Sequence, residues 1–383
     1  MTRPRSRLRV GAASLMGAGI ACLLAEGLLR VHNPLPSSVV RNRVVLHVNN
    51  RIEVPHEDGR TTLFTTNSLG FRGPEPPSDF AEALTMVAVG GSTTEGFVSD
   101  DASTWPHQLG DLLRSEFPSI WVNNAGISGH STRGHLILLD DYLAVLKPKI
   151  AVFLVGINDI GNTDEPSAFE PSYNFLYNVT DPGWRQWLIT LAFRSEVIQA
   201  AVTVNRRLRA TRLGVVYDEG LDLHRVPERV ISADAIRARV EDTRTRLIPP
   251  YVRRLEFLLA QTRGLGIWPI VVTQPVLYGA GRDPVTGVRL DTLKVGGESN
   301  GLEMAAVIAE YNRALLATAK QHGILAVDLA RQMPRRSDLY VDFIHFNDAG
   351  NARVASIVSD AITPALLDTF STFARDAARD TQR

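Results

Sequence analysis

Ser92 follows two glycines at the end of a short apolar segment. Residues 85–89 read Thr-Met-Val-Ala-Val, a β-branched and apolar composition that is typical of a buried parallel strand. Gly90 and Gly91 allow a tight turn after this strand, and α/β sheets place their chemistry at the carboxyl ends of their strands. On this segment alone a helix cap or a phosphate loop remains open, although a phosphate loop carries a lysine where Gly91 stands.

Three later segments contain the partners that a reactive serine needs. Residues 123–129 read Asn-Asn-Ala-Gly-Ile-Ser-Gly, residues 150–159 form an apolar run that ends in Gly-Ile-Asn-Asp, and residues 342–345 read Asp-Phe-Ile-His. Acyl transfer requires a nucleophile, a base that accepts its proton, a group that orients the base, and donors for the developing oxyanion. The four segments together contain side chains for each of these functions.

Ser92 is the candidate nucleophile and His345 the candidate base, because an imidazole with a near-neutral pKa accepts a proton and then returns it. Asp342 lies three residues before His345, a spacing that lets its carboxylate reach the imidazole Nδ1–H. The backbone N–H of Ser92, the side-chain amide of Asn158 and a backbone N–H at a glycine are candidate donors to the oxyanion. The sequence therefore predicts Ser92, Asp342 and His345 as the catalytic residues.

The four segments resemble the motif blocks of the SGNH (GDSL-type) hydrolase family. The matching blocks are Gly-x-Ser at 92, Asn-Ala-Gly-Ile-Ser-Gly at 124–129, Gly-x-Asn-Asp at 156–159 and Asp-x-x-His at 342–345, and the resemblance extends over residues 85–365. It implies a three-layer α/β/α sandwich with a parallel, flavodoxin-like sheet. It also implies hydrolysis of carboxylic esters through an acyl-enzyme, with neither metal nor cofactor.

The family pattern places the glycine donor of the oxyanion hole at Gly129, with Gly126 as the alternative. The chain departs from the family at Gly91, where members commonly carry Asp and some carry Gly, and we do not expect this departure to inactivate the site. His130 is a candidate for the wall of the pocket beside Gly129. Asp159 is expected to cap the turn that follows the strand.

The composition narrows the classes of protein that this chain can belong to. The chain has 383 residues, 44% of them hydrophobic, and a formal net charge of zero, so we expect a large core and no general attraction to nucleic acid. Cys22 is the only cysteine, which excludes an internal disulfide and a cysteine-based metal site. The histidines at 107, 130 and 135 are closely spaced but show no metal-ligand pattern.

Residues 1–32 have the composition of a membrane anchor. Four arginines stand within the first nine residues, and residues 10–29 are almost entirely apolar, which is about the length that a membrane-spanning helix needs. The arginines predict a cytoplasmic N-terminus and an extracytoplasmic catalytic domain, either periplasmic or at the cell surface. A cleaved signal peptide, a lipoprotein modified at Cys22 and a buried helix are the alternatives.

Strands and helices alternate along the rest of the chain, which predicts a parallel sheet with right-handed crossovers. We expect a linker or accessory segment at 33–80, a hydrolase domain at 81–368 and a tail at 369–383. A helical insertion at about 160–250 is interpreted either as a lid or as a surface helix pair. The predicted helices lie at 105–117, 132–146, 184–212, 233–247, 252–263, 302–322 and 347–361, the strands at 85–89, 120–122, 150–155, 267–273 and 324–327, and a mobile loop at 279–300.

Residues 67–72 read Asn-Ser-Leu-Gly-Phe-Arg and are similar to a segment that membrane-linked SGNH proteins carry ahead of the first motif block. Arg72 either reaches the rim of the active site or lies on the surface of a packed turn.

Three functions are compatible with these residues. The leading hypothesis is a membrane-anchored serine esterase whose substrate is an acylated carbohydrate or a lipid, and O-acetyl groups on envelope or exported polysaccharide suit the expected location. An O-acyltransferase would use the same residues, with a sugar hydroxyl in place of water. A catalytically inert binding module is the third hypothesis, and the intact motif residues argue against it.

Overall fold

The computed structural model describes residues 5–31, 39–40, 43–56, 59–162, 195–198, 200–201, 204 and 221–375. Much of the predicted insertion, including most of the helix expected at 184–212, and part of the predicted tail lie outside the described residues. In chain order the strands are β1 (Val39–Val40), β2 (Arg43–Val44), β3 (Arg51–Pro55), β4 (Thr61–Thr65), β5 (Leu84–Gly90), β6 (Ile120–Asn124), β7 (Ile150–Val155), β8 (Trp268–Thr273) and β9 (Leu325–Val327). The α-helices are α1 (Arg5–Val31), α2 (Ser92–Glu95), α3 (Trp105–Leu113), α4 (Thr132–Leu138), α5 (Ala144–Leu146), α6 (Ala233–Asp242), α7 (Ile248–Gly264), α8 (Gly301–Gln321), α9 (Leu329–Gln332) and α10 (Asp348–Thr369).

The central sheet consists of five parallel strands in the order β6-β5-β7-β8-β9. Numbered along the chain, this is the order 2-1-3-4-5 of a flavodoxin-like sheet. Every residue of β5 and β7 is buried, because both faces of a parallel sheet are covered and its strands are therefore continuously apolar. The structure confirms the predicted α/β fold with a parallel central sheet.

The register of the sheet determines where the motif residues meet. Gly90, the last residue of β5, pairs with Leu154 near the end of β7. The segments that follow these two strands, which contain Ser92 and Asn158, therefore leave the sheet side by side at its carboxyl edge.

Helices cover the sheet in packed groups. Helix α3 packs against α10, and α7 packs against α4 and α8. Trp105, Leu109 and Leu113 of α3 are buried, whereas Leu112 is 46% exposed. Two short π-helical segments connect neighbouring helices. Leu139–Leu143 connects α4 to α5, and Thr243–Leu247 connects α6 to α7.

The predicted end of the last helix was wrong, and the loop predicted at 279–300 makes contacts with the rest of the domain. Helix α10 was expected to end near residue 361, but it continues through Pro364 to Thr369, because Leu366 remains buried and holds the last turns on the core. The loop at 279–300, expected to be mobile, packs on the domain. Asp283 accepts hydrogen bonds from the backbone N–H of Ser337 (2.9 Å) and Thr286 (2.9 Å).

The segment before the central sheet is attached to the hydrolase domain. Strands β3 and β4 form an antiparallel hairpin. Two consecutive carboxylates beyond the sheet bind this hairpin: Asp100 accepts from the N–H of Leu63 (2.7 Å) and Asp101 from the N–H of Thr65 (3.2 Å). Phe71 is buried in the same core as the central strands. The described part of the segment at 33–80 is thus packed against the domain.

Among the helices in the described ranges, none is both long and apolar enough to cross a membrane.

Candidate active site

Ser92, His345 and Asp342 form one hydrogen-bonded chain at the carboxyl edge of the sheet. Ser92 is the first residue of α2, after the turn at Gly90 and Gly91. His345 Nε2 lies 2.8 Å from Ser92 Oγ, and His345 Nδ1 lies 2.6 Å from Asp342 Oδ2. The structure thus brings together all three predicted catalytic side chains, although Ser92 and His345 are 253 positions apart.

The short loop before α10 fixes the His–Asp pair. Asp342 Oδ1 accepts hydrogen bonds from the backbone N–H of Ile344 (2.8 Å) and His345 (2.8 Å). Burial acts to raise the pKa of Asp342, but the hydrogen bonds from the His345 ring and from these two backbone groups outweigh it and lower the pKa below its usual value. The ionised carboxylate is therefore stabilised in contact with the imidazole, where it orients the ring and favours its cationic form.

Asn158 lies in the 3₁₀-helix Ile157–Asp159, directly after β7. Its amide Nδ2 donates to the carbonyl of His130 at 3.0 Å, so the segment at 124–130 and the end of β7 are joined beside Ser92. Gly91 makes room for this amide, since an added Cβ at Gly91 would lie 2.2 Å from Asn158 Nδ2. This close contact explains why residue 91 is glycine and not the Asp that is common in the family.

The two candidate glycines have different environments. Gly129 has φ +77°, a conformation that favours glycine, and it directly precedes the residue whose carbonyl binds Asn158. The N–H of Gly126 donates to the side chain of Asn124 at 2.9 Å. A Cβ at Gly126 would lie 2.3 Å from the backbone nitrogen of Glu95. Close packing therefore accounts for the glycine at position 126, and the family pattern keeps Gly129 as the candidate donor.

Asp159 caps a helix, but not the turn that it was expected to cap. Its carboxylate accepts from the Thr132 hydroxyl (2.6 Å) and from the Thr132 backbone N–H (3.2 Å) at the start of α4. Arg254 of α7 completes the group with a contact of 3.2 Å from its Nη2 to Asp159, and both side chains are buried. This buried ion pair fixes the positions of Asn158 and of the segment that follows Gly129.

Arg72 is buried, and both expectations about it were wrong. Its guanidinium donates to Asp101 and to the backbone carbonyls of Glu95, Gly96 and Ser99, at distances of 2.6–2.8 Å. It neither reaches the rim of the site nor lies on the surface, but holds the loop that follows Ser92.

The three closely spaced histidines at 107, 130 and 135 have structural positions. His130 and His135 are 1% exposed, so His130 contributes its carbonyl rather than an open pocket wall. His107 lies near Asp111 on α3, 3.7 Å away. Within the described ranges, no group of three or more His, Cys, Asp or Glu side chains has the arrangement of a metal site.

A parallel α/β sheet with a Ser–His–Asp chain at its carboxyl edge has the catalytic arrangement of a serine hydrolase. Residues 88–353 match the family described as GDSL-like Lipase/Acylhydrolase, which is more than half of the chain, and the chain belongs to this family. It is a carboxylic ester hydrolase.

The chain is also similar to solved structures of esterases and hydrolases. One is an acetylxylan esterase, Axe2, from Geobacillus stearothermophilus, with 17% identity, a TM-score of 0.40, and 73% of this chain and 93% of that chain covered. Another is LAE5, an α/β hydrolase enzyme from the metagenome of Lake Arreo, Spain, with 18% identity, a TM-score of 0.39, and 72% and 94% covered. No curated protein matches the chain.

Proposed function

We propose that Ser92 is the nucleophile of a serine esterase that works through an acyl-enzyme intermediate. The observation that carries this proposal is the continuous chain from Ser92 Oγ through the His345 ring to Asp342, with contacts of 2.8 and 2.6 Å. Hydrogen-bond distance between nucleophile and base is the geometry that acyl transfer requires.

In the first half of the reaction, His345 Nε2 takes the proton of Ser92 as Oγ bonds to the ester carbonyl carbon. The carbonyl oxygen becomes an oxyanion, to which the N–H groups of Ser92 and Gly129 and the amide of Asn158 donate. His345 then returns the proton to the leaving alkoxide, so the alcohol departs and the acyl group remains on Ser92. In the second half, water replaces the alcohol, and the same proton transfers release the carboxylic acid and restore Ser92.

We further propose that the substrates are short-chain esters on carbohydrate, such as O-acetyl groups of envelope or exported polysaccharide, and that the enzyme acts outside the cytoplasm. The support is the sequence of the N-terminus, in which four arginines precede a long apolar run. An anchor and a cleaved leader would both deliver the enzyme to this location.

The test is hydrolysis of p-nitrophenyl acetate, butyrate and octanoate by the full-length protein, with Ser92→Ala as the inactive variant. Ser115→Ala, on the exposed end of the segment after α3, is the matched control. Activity that is lost in Ser92→Ala and kept in Ser115→Ala supports the proposal, and a preference for acetate supports the short-chain substrate.

A fluorophosphonate that labels Ser92 distinguishes the remaining outcomes. No ester turnover together with no labelling would overturn the esterase and leave the inert binding module. Labelling without hydrolysis, combined with transfer of acetyl to an added polysaccharide, would replace hydrolysis by acyl transfer.

A further inference from the structure

Two loops carry the backbone donors of the proposed oxyanion hole, and one side-chain hydrogen bond joins them beside these donors. The first loop contains Ser92 and ends with Glu95, the last residue of α2. The second contains Ser128 and Gly129. The Ser128 hydroxyl donates to the carboxyl of Glu95, so the loops are connected at the residue directly before Gly129.

Asn124 connects the same loops further from the site. Its side-chain nitrogen donates to the Thr94 carbonyl at 2.7 Å, while its side-chain oxygen accepts from the N–H of Gly126 at 2.9 Å. This contact fixes the base of the second loop but lies five residues before Gly129. Between Gly126 and Gly129, the Glu95 carboxyl can set the distance from this loop to Ser92, because it accepts hydrogen bonds from both the hydroxyl and the backbone N–H of Ser128.

The backbone of Glu95 is held by Arg72, and its carboxyl is buried. Arg72 donates to the Glu95 carbonyl at 2.6 Å, which holds the backbone of this residue in place. Burial raises the pKa of the Glu95 carboxyl, and its hydrogen bond with Ser128 and the positive charge of Arg72 only partly oppose this. His345 is the other charged group that acts to lower the pKa of Glu95, and His47 lines the same cavity as Glu95.

We propose that Glu95 is a positioning residue, whose hydrogen bond with Ser128 holds the N–H of Gly129 at the correct distance from the N–H of Ser92. This inference rests on the proposed function, because it assumes that both N–H groups bind the oxyanion. Glu95 does not touch the ester. It acts through the second loop, and its loss moves a donor without removing one.

The proposal is tested with Glu95→Gln, Glu95→Ala, Ser128→Ala and the double alanine variant. Removal of an oxyanion donor costs about 10²–10³ in rate, and a displaced donor should cost less, so we expect Glu95→Ala and Ser128→Ala each to lower kcat about 10-fold to 10²-fold with little change in KM. The double variant should be no slower than Glu95→Ala, because Glu95→Ala already removes the hydrogen bonds from both the hydroxyl and the backbone N–H of Ser128. Glu95→Gln keeps an uncharged hydrogen-bonding side chain and should retain most of the activity.

Glu53→Ala, which removes an exposed glutamate of β3, is the matched control and should leave kcat unchanged. Thermal unfolding of each variant identifies losses of activity that come from loss of the fold. The proposal is overturned if folded Glu95→Ala keeps the wild-type kcat, if the losses of the two single variants multiply, or if Glu95→Gln is as slow as Glu95→Ala.

The rate of Ser92 labelling by a fluorophosphonate separates this inference from the proposed function. As Ser92 displaces fluoride from phosphorus, the phosphonyl oxygen gains negative charge in the same hole, so Glu95→Ala should slow labelling even if the wild-type enzyme hydrolyses none of the esters. Unchanged labelling and unchanged hydrolysis would remove the role of Glu95 and leave the esterase intact. Slowed labelling of Glu95→Ala, together with no hydrolysis by the wild type, would support the role of Glu95 and overturn the esterase.

Discussion

Replacement of Gly91 by alanine tests how the site accommodates the amide of Asn158. The new Cβ would lie 2.2 Å from Asn158 Nδ2, whereas nonbonded heavy atoms settle at about 3.5 Å. The amide must therefore move by roughly 1 Å, away from the turn that holds Ser92. A misplacement of about 1 Å costs on the order of 10²-fold in rate, so we expect kcat of Gly91→Ala to fall about 10²-fold.

The assay is the hydrolysis of p-nitrophenyl acetate at saturating substrate, with Asn158→Ala and the double variant measured in parallel. If Gly91 acts through Asn158, the double variant should be no slower than Asn158→Ala alone, because the amide is already absent. Gly264→Ala is the matched control, since a Cβ at Gly264 meets nothing within 4 Å. It should have the wild-type kcat.

Full activity in Gly91→Ala would refute this reasoning, and so would a double variant whose loss is the product of the two single losses. Backbone strain does not offer a competing explanation, because φ at Gly91 is −87°, a value that alanine adopts freely. Gly91→Asp introduces the residue common in the family and should show the same loss through the same contact.

Three further predictions concern buried carboxylates. Asp342→Asn should lower kcat about 10⁴-fold by removing the charge that orients and stabilises the His345 ring, and an ester hydrolysis rate within tenfold of wild type would contradict this role. The pKa of Asp342 is lowered in the fold. Its contribution to the free energy of unfolding is therefore present above the unfolded pKa of about 3.9 and disappears as the pH falls through the lower folded value. In urea unfolding, the wild type should lose its stability advantage over Asp342→Asn below about pH 4. Asp159→Asn removes the charge that the buried Arg254 contacts and should lower the free energy of unfolding by about 3–5 kcal/mol. Asp242→Asn on α6 removes a carboxylate whose ion pairs are exposed to solvent and should change it far less. Similar values for the two variants would show that the buried pair does not stabilise the fold more than an exposed one.

The central strands could be predicted from the sequence because burial on both faces requires a continuous run of apolar residues. The apolar run expected at 150–155 is β7 (Ile150–Val155), and the run expected at 85–89 is extended by one residue at each end in β5. The motif residues could be found for a related reason. Each follows a predicted strand or lies in a short loop, where its role leaves little freedom in residue type or spacing.

The contacts that hold these residues in place join distant parts of the chain and produce no local sequence pattern. Arg254 and Asp159 are 95 positions apart, and nothing near Arg254 distinguishes it from the exposed arginines of the neighbouring helix α6. The end of α10 is another example. Pro364 commonly breaks a helix, and only the buried position of Leu366 against the folded core shows why the helix continues.

Arg72 shows how tertiary structure changes the meaning of a recognisable pattern. Arginine is rarely buried unless its charge is paired, so the sequence favoured a surface or rim position. In the fold all five of its N–H groups find acceptors on Asp101 and on three backbone carbonyls of the loop at 95–99. Arg72 precedes residue 88, where the family match begins, yet it supports the loop that directly follows Ser92. The segment before the sheet is therefore part of the architecture that positions the nucleophile, and the hydrolase unit begins earlier in the chain than its motif blocks indicate.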